Sequence, residues 1–299
     1  MAKVSGMGRW FLTVAVCVAA SSCTKAQTES IALSNRGVKA YQRGDTAQAQ
    51  ALFERAVALY PKNQLAHLHL GMILLHEKRD FEGAERELNE AARLNPRDAE
   101  VIFQQGRLAL ERGGLDAALE RFGKVLESDP SHAGALYWSG VVMSRKGRLQ
   151  DADAFYRKAI EVDPYSARAF NALGLMYLDA GAESEAMAVF KEAIRLNPDD
   201  AESHHNLGLV YLGTGNNQAA VEEFMSALEN DPDDPTIAFN LANALIRMGR
   251  YREASFYLKK FIVEGSARKS PLVEPAQIVY DNLQRLIADL DEQKGAMVR

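Results

Sequence analysis

Cysteine is almost absent: the 299 residues contain two, Cys17 and Cys23. Everything beyond residue 23 is therefore without a thiol, which excludes a disulfide framework and any cysteine-ligated metal site in the body of the chain. Enzymatic signatures are missing as well. No Gly-x-x-x-x-Gly-Lys-Ser/Thr loop cradles a phosphate, no His-Glu-x-x-His offers two ligands on one helical face, and no Gly-x-Ser-x-Gly elbow presents a nucleophile. The six histidines, His67, His69, His76, His132, His204 and His205, form no i, i+4 pair. His204 takes a bulky position of its segment, so packing is its expected role. Acids such as Glu183, Glu185, Glu222 and Glu223 are spread along helix surfaces, as solvated faces require, and make no catalytic pair. No metal, cofactor or catalysis is expected. Nor is there an excess of positive charge: 35 basic against 40 acidic side chains give a formal net charge of −5. A basic patch to meet nucleic-acid phosphates is not available.

What the chain has instead is a beat. Prolines fall at Pro61, Pro96, Pro130, Pro164, Pro198 and Pro232, separated by 35, 34, 34, 34 and 34 residues. A glycine recurs at Gly37, Gly71, Gly106, Gly140, Gly174 and Gly208, with Ala242 in the seventh place. Twelve or thirteen residues later comes an Ala-x-x-x-aromatic or Ala-x-x-x-Leu pair, as in Ala118 and Phe122 or Ala186 and Phe190. Seven copies of one unit thus run from about Ser30 to Ser266. Each unit should be a helical hairpin. Small residues let the two backbones approach, and Phe190 with Leu173 and Tyr177 fills the space around Gly174. Gly44, Gly113, Gly147, Gly181, Gly215 and Gly249 suit left-handed caps between the helices. Asn-Pro and Asp-Pro pairs stop the second helix, because the residue before proline is pushed out of the helical region. Unit two carries one extra residue around Glu77 to Asp80, expected as a longer turn.

This pattern resembles the tetratricopeptide repeat (TPR) family, whose unit has 34 residues. The resemblance implies an all-α, right-handed superhelical solenoid, stabilised by stacking of neighbouring repeats over residues 30–266. After Ser266, residues 267–299 read as a linker and then an amphipathic helix carrying Ile278, Val279, Leu283, Leu286, Ile287 and Leu290. It is expected to cap the open end of repeat seven.

The N-terminus carries a second signal. Lys3 and Arg9 precede an apolar run of 11 residues, Trp10 to Ala20, and Ala20-Ser21-Ser22-Cys23 closes it. Eleven residues fall short of the ~20 that span a bilayer, and the layout is that of a signal peptide over 1–23. The small residues before Cys23 resemble a bacterial lipobox, which implies lipidation of Cys23 and anchoring to a membrane, with 24–29 as a polar tether. Thr24 is not the aspartate of inner-membrane retention, so the periplasmic face of the outer membrane is expected. Ordinary cleavage after Ala20, giving a soluble periplasmic or secreted chain, is the alternative. Removing residues 1–23 deletes two positive charges and no acid, moving the net charge from −5 to −7.

Family resemblance also implies where a partner docks, since TPR helix A positions 5, 9 and 12 line the concave groove. Those positions are Ser34, Val38 and Tyr41; Leu68, Met72 and Leu75; Phe103, Arg107 and Leu110; Tyr137, Val141 and Ser144; Asn171, Leu175 and Leu178; His205, Leu209 and Leu212; Phe239, Asn243 and Ile246. At 5 and 9 the candidate partner residues are therefore Leu68, Met72, Phe103, Arg107, Tyr137, Val141, Asn171, Leu175, His205, Leu209, Phe239 and Asn243. The basic set of a carboxylate-clamp TPR is absent, and an apolar strip suits an extended or helical protein segment with hydrophobic anchors.

Leader, Cys23, repeats and cap together are similar to the type IV pilus biogenesis lipoproteins, or pilotins. That implies a non-enzymatic scaffold that helps a secretin assemble. TPR adaptor lipoproteins for envelope proteases or peptidoglycan hydrolases share the layout. A repeat domain of a TPR glycosyltransferase, echoed by Asn206-Leu207-Gly208, is the enzymatic alternative, but the 33 residues after Ser266 are too few for a catalytic domain.

Overall fold

In the computed structural model, which describes residues 7–267 and 270–297 and the side chains of 24–266 and 270–293, the 34-residue beat becomes a series of helix pairs. These are α1 (Met7–Gln42) with α2 (Thr46–Leu59), α3 (Gln64–Ile73) with α4 (Phe81–Leu94), α5 (Ala99–Glu111) with α6 (Leu115–Ser128), and α7 (Ala133–Arg145) with α8 (Leu149–Val162). They continue as α9 (Ala167–Asp179) with α10 (Glu183–Leu196), α11 (Ala201–Gly213) with α12 (Asn217–Asn230), and α13 (Pro235–Arg247) with α14 (Tyr251–Ala267), before a final α15 (Val273–Met297). No strand occurs among the described residues. Two compact units divide at Val142, within α7.

Local chemistry makes each hairpin. Six turn glycines sit at φ between +71° and +80°. At the first, the amide of Gly44 donates to the Tyr41 carbonyl at 2.9 Å and that of Asp45 to the Ala40 carbonyl at 3.0 Å. This is the Schellman pairing that satisfies the last carbonyls of a helix. The next helix is then capped at its start: Asp45 accepts from the Gln48 amide, Asp80 from Gly83 and Asn216 from Ala219. At the far end Asn95, before Pro96, is extended at φ −142° and ψ 90°, while its own amide still bonds Ala91.

Unit two departs from expectation. Its extra residue does not lengthen the turn; it is absorbed within the helix as a π-helical turn over Leu74–Lys78. Arg79 then takes the left-handed place at φ 53° that glycine holds elsewhere. Its guanidinium lies 5.3 Å from the Phe81 ring centre and 3.2 Å from Glu111, contacts that offset the strain of a side chain there. The stretch 24–29, expected as a tether, is helical and continuous with the first repeat. Residues 1–6 and the side chains of 7–23, including Cys23, lie outside the described residues. Among the described residues no helix is long and apolar enough to cross a membrane.

Packing inside the hairpins rests on the recurrent glycine. A Cβ on Gly174 would lie 2.4 Å from the Phe190 ring, one on Gly208 2.6 Å from Phe224, and one on Gly106 2.7 Å from Phe122. All three rings are fully buried. In the first unit separate clusters gather round Phe53, Leu88 and Phe122; in the second, Phe190 anchors one and Phe224 with Phe261 another. The last of these also takes in Ala276 and Leu283 of α15. The expected capping face is only partly used, however. Leu283 is buried, but Ile278, Val279, Leu286 and Leu290 stay exposed.

Two histidines act as latches with the same geometry in repeats two and six. His67 has Nδ1 2.6 Å from Glu87 and Nε2 3.0 Å from the Pro61 carbonyl oxygen. His204 repeats this with Glu223 at 2.7 Å and the Pro198 carbonyl at 3.0 Å. Both ring nitrogens face acceptors, so the doubly protonated imidazolium fits best. The Glu223 carboxylate raises His204 above its ordinary value against the opposing effect of burial. Burial pulls His67 down, but Glu87 and the Pro61 carbonyl more than offset it, and the net direction is upward. Expected packing at His204 is thus joined by an ion pair.

The glycine contact predicts that Gly174→Leu overpacks the hairpin and costs about 1–3 kcal/mol, seen as a lower urea midpoint. Gly123→Ala in α6, where a Cβ meets nothing within 4 Å, should instead add about 0.5–1 kcal/mol. Equal effects would remove the contact as the cause. For the latches the sign follows from raised pKa values: their stabilisation is complete below about 6.5 and is lost as pH rises through the folded values. Urea midpoints measured across that range should fall with rising pH, and more steeply than in His67→Gln/His204→Gln. Parallel profiles would show that the latches contribute nothing.

Candidate functional site

One residue in 34 decides what each A helix offers. Position 5 is buried in four of the seven repeats. Ser34, Leu68, Phe103 and Asn171 are buried, whereas Tyr137, His205 and Phe239 are half-buried. Leu68, Phe103 and Asn171 were expected to meet a partner; at exposures of 5%, 8% and 2% they are core residues instead. Phe103 packs against Phe122 and His132, with ring centres 5.8 and 5.0 Å away. Position 12 is mixed, with Leu75 and Leu110 buried. Position 9 is buried in no repeat. In the first unit Val38, Met72, Arg107 and Val141 are half-buried; in the second Leu209 and Asn243 are half-buried and Leu175 is 40% exposed.

Position 9 is apolar in five repeats and polar at Arg107 and Asn243. In the first unit the Arg107 guanidinium stacks 3.9 Å from the Trp138 ring centre, and Tyr137 meets Trp138 edge-on at 4.9 Å. That leaves a cation-aromatic platform between Met72 and Val141. In the second unit His205 packs 5.7 Å from the Phe224 ring and its Nε2 lies 2.8 Å from the Asn240 amide nitrogen. Burial lowers its pKa, keeping the ring neutral, so Nε2 is the acceptor. Phe239 meets Phe261 at 5.0 Å.

Behind position 5 runs a polar ladder that sequence reasoning missed. The Asn63 amide donates to Ser30 at 2.8 Å and Ser34 at 2.9 Å, and Ser30 donates on to the Ala56 carbonyl at 2.7 Å. Gln64 donates to Asp98 at 3.0 Å. In the second unit Ser203 and Asn206 both donate to Asn171, at 3.3 and 3.4 Å. Partners stand 29–35 residues apart, close to one repeat. The available signal was the recurrence of Ser and Asn at that spacing inside otherwise apolar helices. Among the described residues no cluster of three or more His, Cys, Asp or Glu could hold a metal ion.

Comparison with known proteins agrees with this geometry. Family models described as "Tetratricopeptide repeat" match residues 35–99, 103–167 and 211–260, and one described as "TPR repeat" matches 176–215. No curated protein sequence matches. Among solved structures the chain is similar to PilW, a "widely conserved type IV pilus biogenesis factor", at 24% identity and a TM-score of 0.63, over 72% of this chain and 98% of that one. It is also similar to PilF of Pseudomonas aeruginosa, at 18% identity and a TM-score of 0.59, over 74% and 96%. Yeast Tom70 aligns at 16% identity with a TM-score of 0.66, over 92% of this chain and 58% of that one. At these identities the likeness is one of fold. Proteins of this kind bind protein or peptide partners on their repeats. Capped, spaced and packed as its helix pairs are, and matched by repeat models over most of their length, the chain belongs to the tetratricopeptide repeat family.

Proposed function

We propose that this chain is a lipid-anchored scaffold on the periplasmic face of the bacterial outer membrane, where it holds a protein segment and assists assembly of an envelope complex of the type IV pilus secretin kind. The observation that supports the scaffold reading is position 9, which no repeat buries, beside position 5, which four of the seven repeats bury. An apolar strip of half-exposed side chains, interrupted by Arg107 over Trp138, suits a segment whose hydrophobic residues alternate with polar ones. Support for the anchor comes from Lys3, Arg9, the 11-residue apolar run and Cys23. Acyl chains on that cysteine would each contribute about 0.8 kcal/mol per buried methylene. What supports the pilus reading is this leader joined to a repeat array similar to PilW and PilF.

Charged substitutions in the open row separate binding from folding. Met72→Asp and Leu175→Asp should weaken capture of the partner at least about tenfold, measured by anisotropy with segments of the purified secretin, while circular dichroism stays helical. Phe103→Ala, at a buried position 5, should cost roughly 3–5 kcal/mol of stability. Undiminished capture by both charged variants would place the docking surface elsewhere.

Anchoring has its own test. Cys23→Ser should move the chain from the membrane pellet to the soluble fraction, and equal retention would refute lipidation. Deleting the gene should leave secretin monomers unassembled; normal multimers would rule out the pilus role and leave the scaffold reading standing.

A further inference from the structure

The B side of the second unit carries a knob and a trough of opposite character. On α14, Phe256, Lys259, Lys260 and Val263 follow one another at i, i+3, i+4 and i+7, which places them on one helical face. Phe256 is 66% exposed and Val263 64%, unusual for large apolar side chains on a helix whose other face is buried. Lys260 donates to the Pro232 carbonyl at 2.7 Å, and Lys259 has no partner among the described residues. The face thus presents two apolar side chains with two cations between them.

The trough lies between α8 and α10 over α9. It encloses about 420 Å³, and Ile160, Phe170, Leu173 and Val189 supply its apolar lining. Glu161 and Glu185 stand on its rim without a cationic partner among the described residues. The other rim charges are already satisfied. Glu192 is paired with Arg195 at 2.6 Å, and Arg157 is held by Asp153 at 2.9 Å and donates to the Tyr177 hydroxyl at 2.8 Å. Free charge at the trough is therefore negative, where that of the α14 face is positive.

We propose that these two surfaces bind each other between copies of this chain, the α14 face of one seating Phe256 and Val263 in the α8–α10 trough of another while Lys259 and Lys260 meet Glu161 and Glu185. Residues i and i+7 stand about 10 Å apart along a helix, so one side chain fills the trough and the other covers its edge. The match has the two parts that a specific contact needs: an apolar anchor that excludes water, and charges that set orientation and encounter rate. The contact joins different patches, so it propagates copy to copy unless the geometry closes it. It rests on helix faces other than the position-9 row and is independent of which partner that row takes.

Zero-length carbodiimide crosslinking tests this directly, because it joins a lysine to a carboxylate only in contact. Full-length chain is mixed from heavy-isotope and unlabelled preparations, and the dimer band is analysed by mass spectrometry. Expected are mixed-isotope links between Lys259 or Lys260 and Glu161 or Glu185, diminished at high salt. Lys259→Glu/Lys260→Glu should lower the dimer about tenfold, as should Glu161→Lys/Glu185→Lys. Mixing these two variants restores complementary charges on both sides and should restore the dimer. A chain that gives no dimer at any concentration, links only within one copy, or dimerises undiminished by either reversal would overturn the proposal.

Discussion

The distance between the two helices of each hairpin is set by a missing atom. With no Cβ at Gly174, the ring of Phe190 packs close against α9, and even one added carbon would sit 2.4 Å from it. Everything larger depends on that contact, because helices of 13 or 14 residues are marginal alone in water and gain their stability from neighbours. Where Ala242 replaces the glycine, the facing side chain is Leu258 rather than phenylalanine, and both are fully buried. Leucine also faces a glycine, at Gly71 and Leu88, so the hairpin accepts a leucine opposite either small residue.

Beside this apolar contact runs a second, polar constraint that acts between repeats. A slip between neighbouring A helices would strand the Asn63 amide away from Ser30 and Ser34, and the Asn171 carbonyl away from Ser203 and Asn206. A buried donor left without its acceptor costs about 1–3 kcal/mol. Repeats two and six add the His67 and His204 latches, which tie helix A both to its own helix B and to the end of the preceding one. Register is therefore specified by polar pairs, and compactness by the glycine contacts.

These two constraints differ in how visible they are in the chain. Glycine, proline and the alanine-aromatic pair recur at fixed spacing, so the hairpins, their left-handed turn caps and their proline stops were legible from the residues. Distances across repeats were not. Leu68, Phe103 and Asn171 share an angular position with Tyr137, His205 and Phe239, and spacing alone does not say which of them are covered. The extra residue of repeat two was legible as a count, but not as the π-helical turn over Leu74–Lys78, because a helix and a turn can absorb an insertion equally well. On α15 the apolar period forecast one buried face, yet only Leu283 of its large side chains is buried, and Ile278, Val279, Leu286 and Leu290 stay exposed.

A repeat helix has more faces than its packing needs, and α9 shows how they are divided. Leu175 and Tyr177 are two residues apart, hence about 200° apart around the axis. Tyr177 points to the B side, where it joins Asp153 and Arg157 at the trough, while Leu175 is among the most open members of the position-9 row. Between them Met176 is buried and carries the packing. The packing of the hairpin falls on buried residues such as Met176 and Phe190, and Leu175 lies outside it. Side chains there are free to be apolar for reasons of binding, and the array can expose leucine, phenylalanine and valine on two sides without giving up its core.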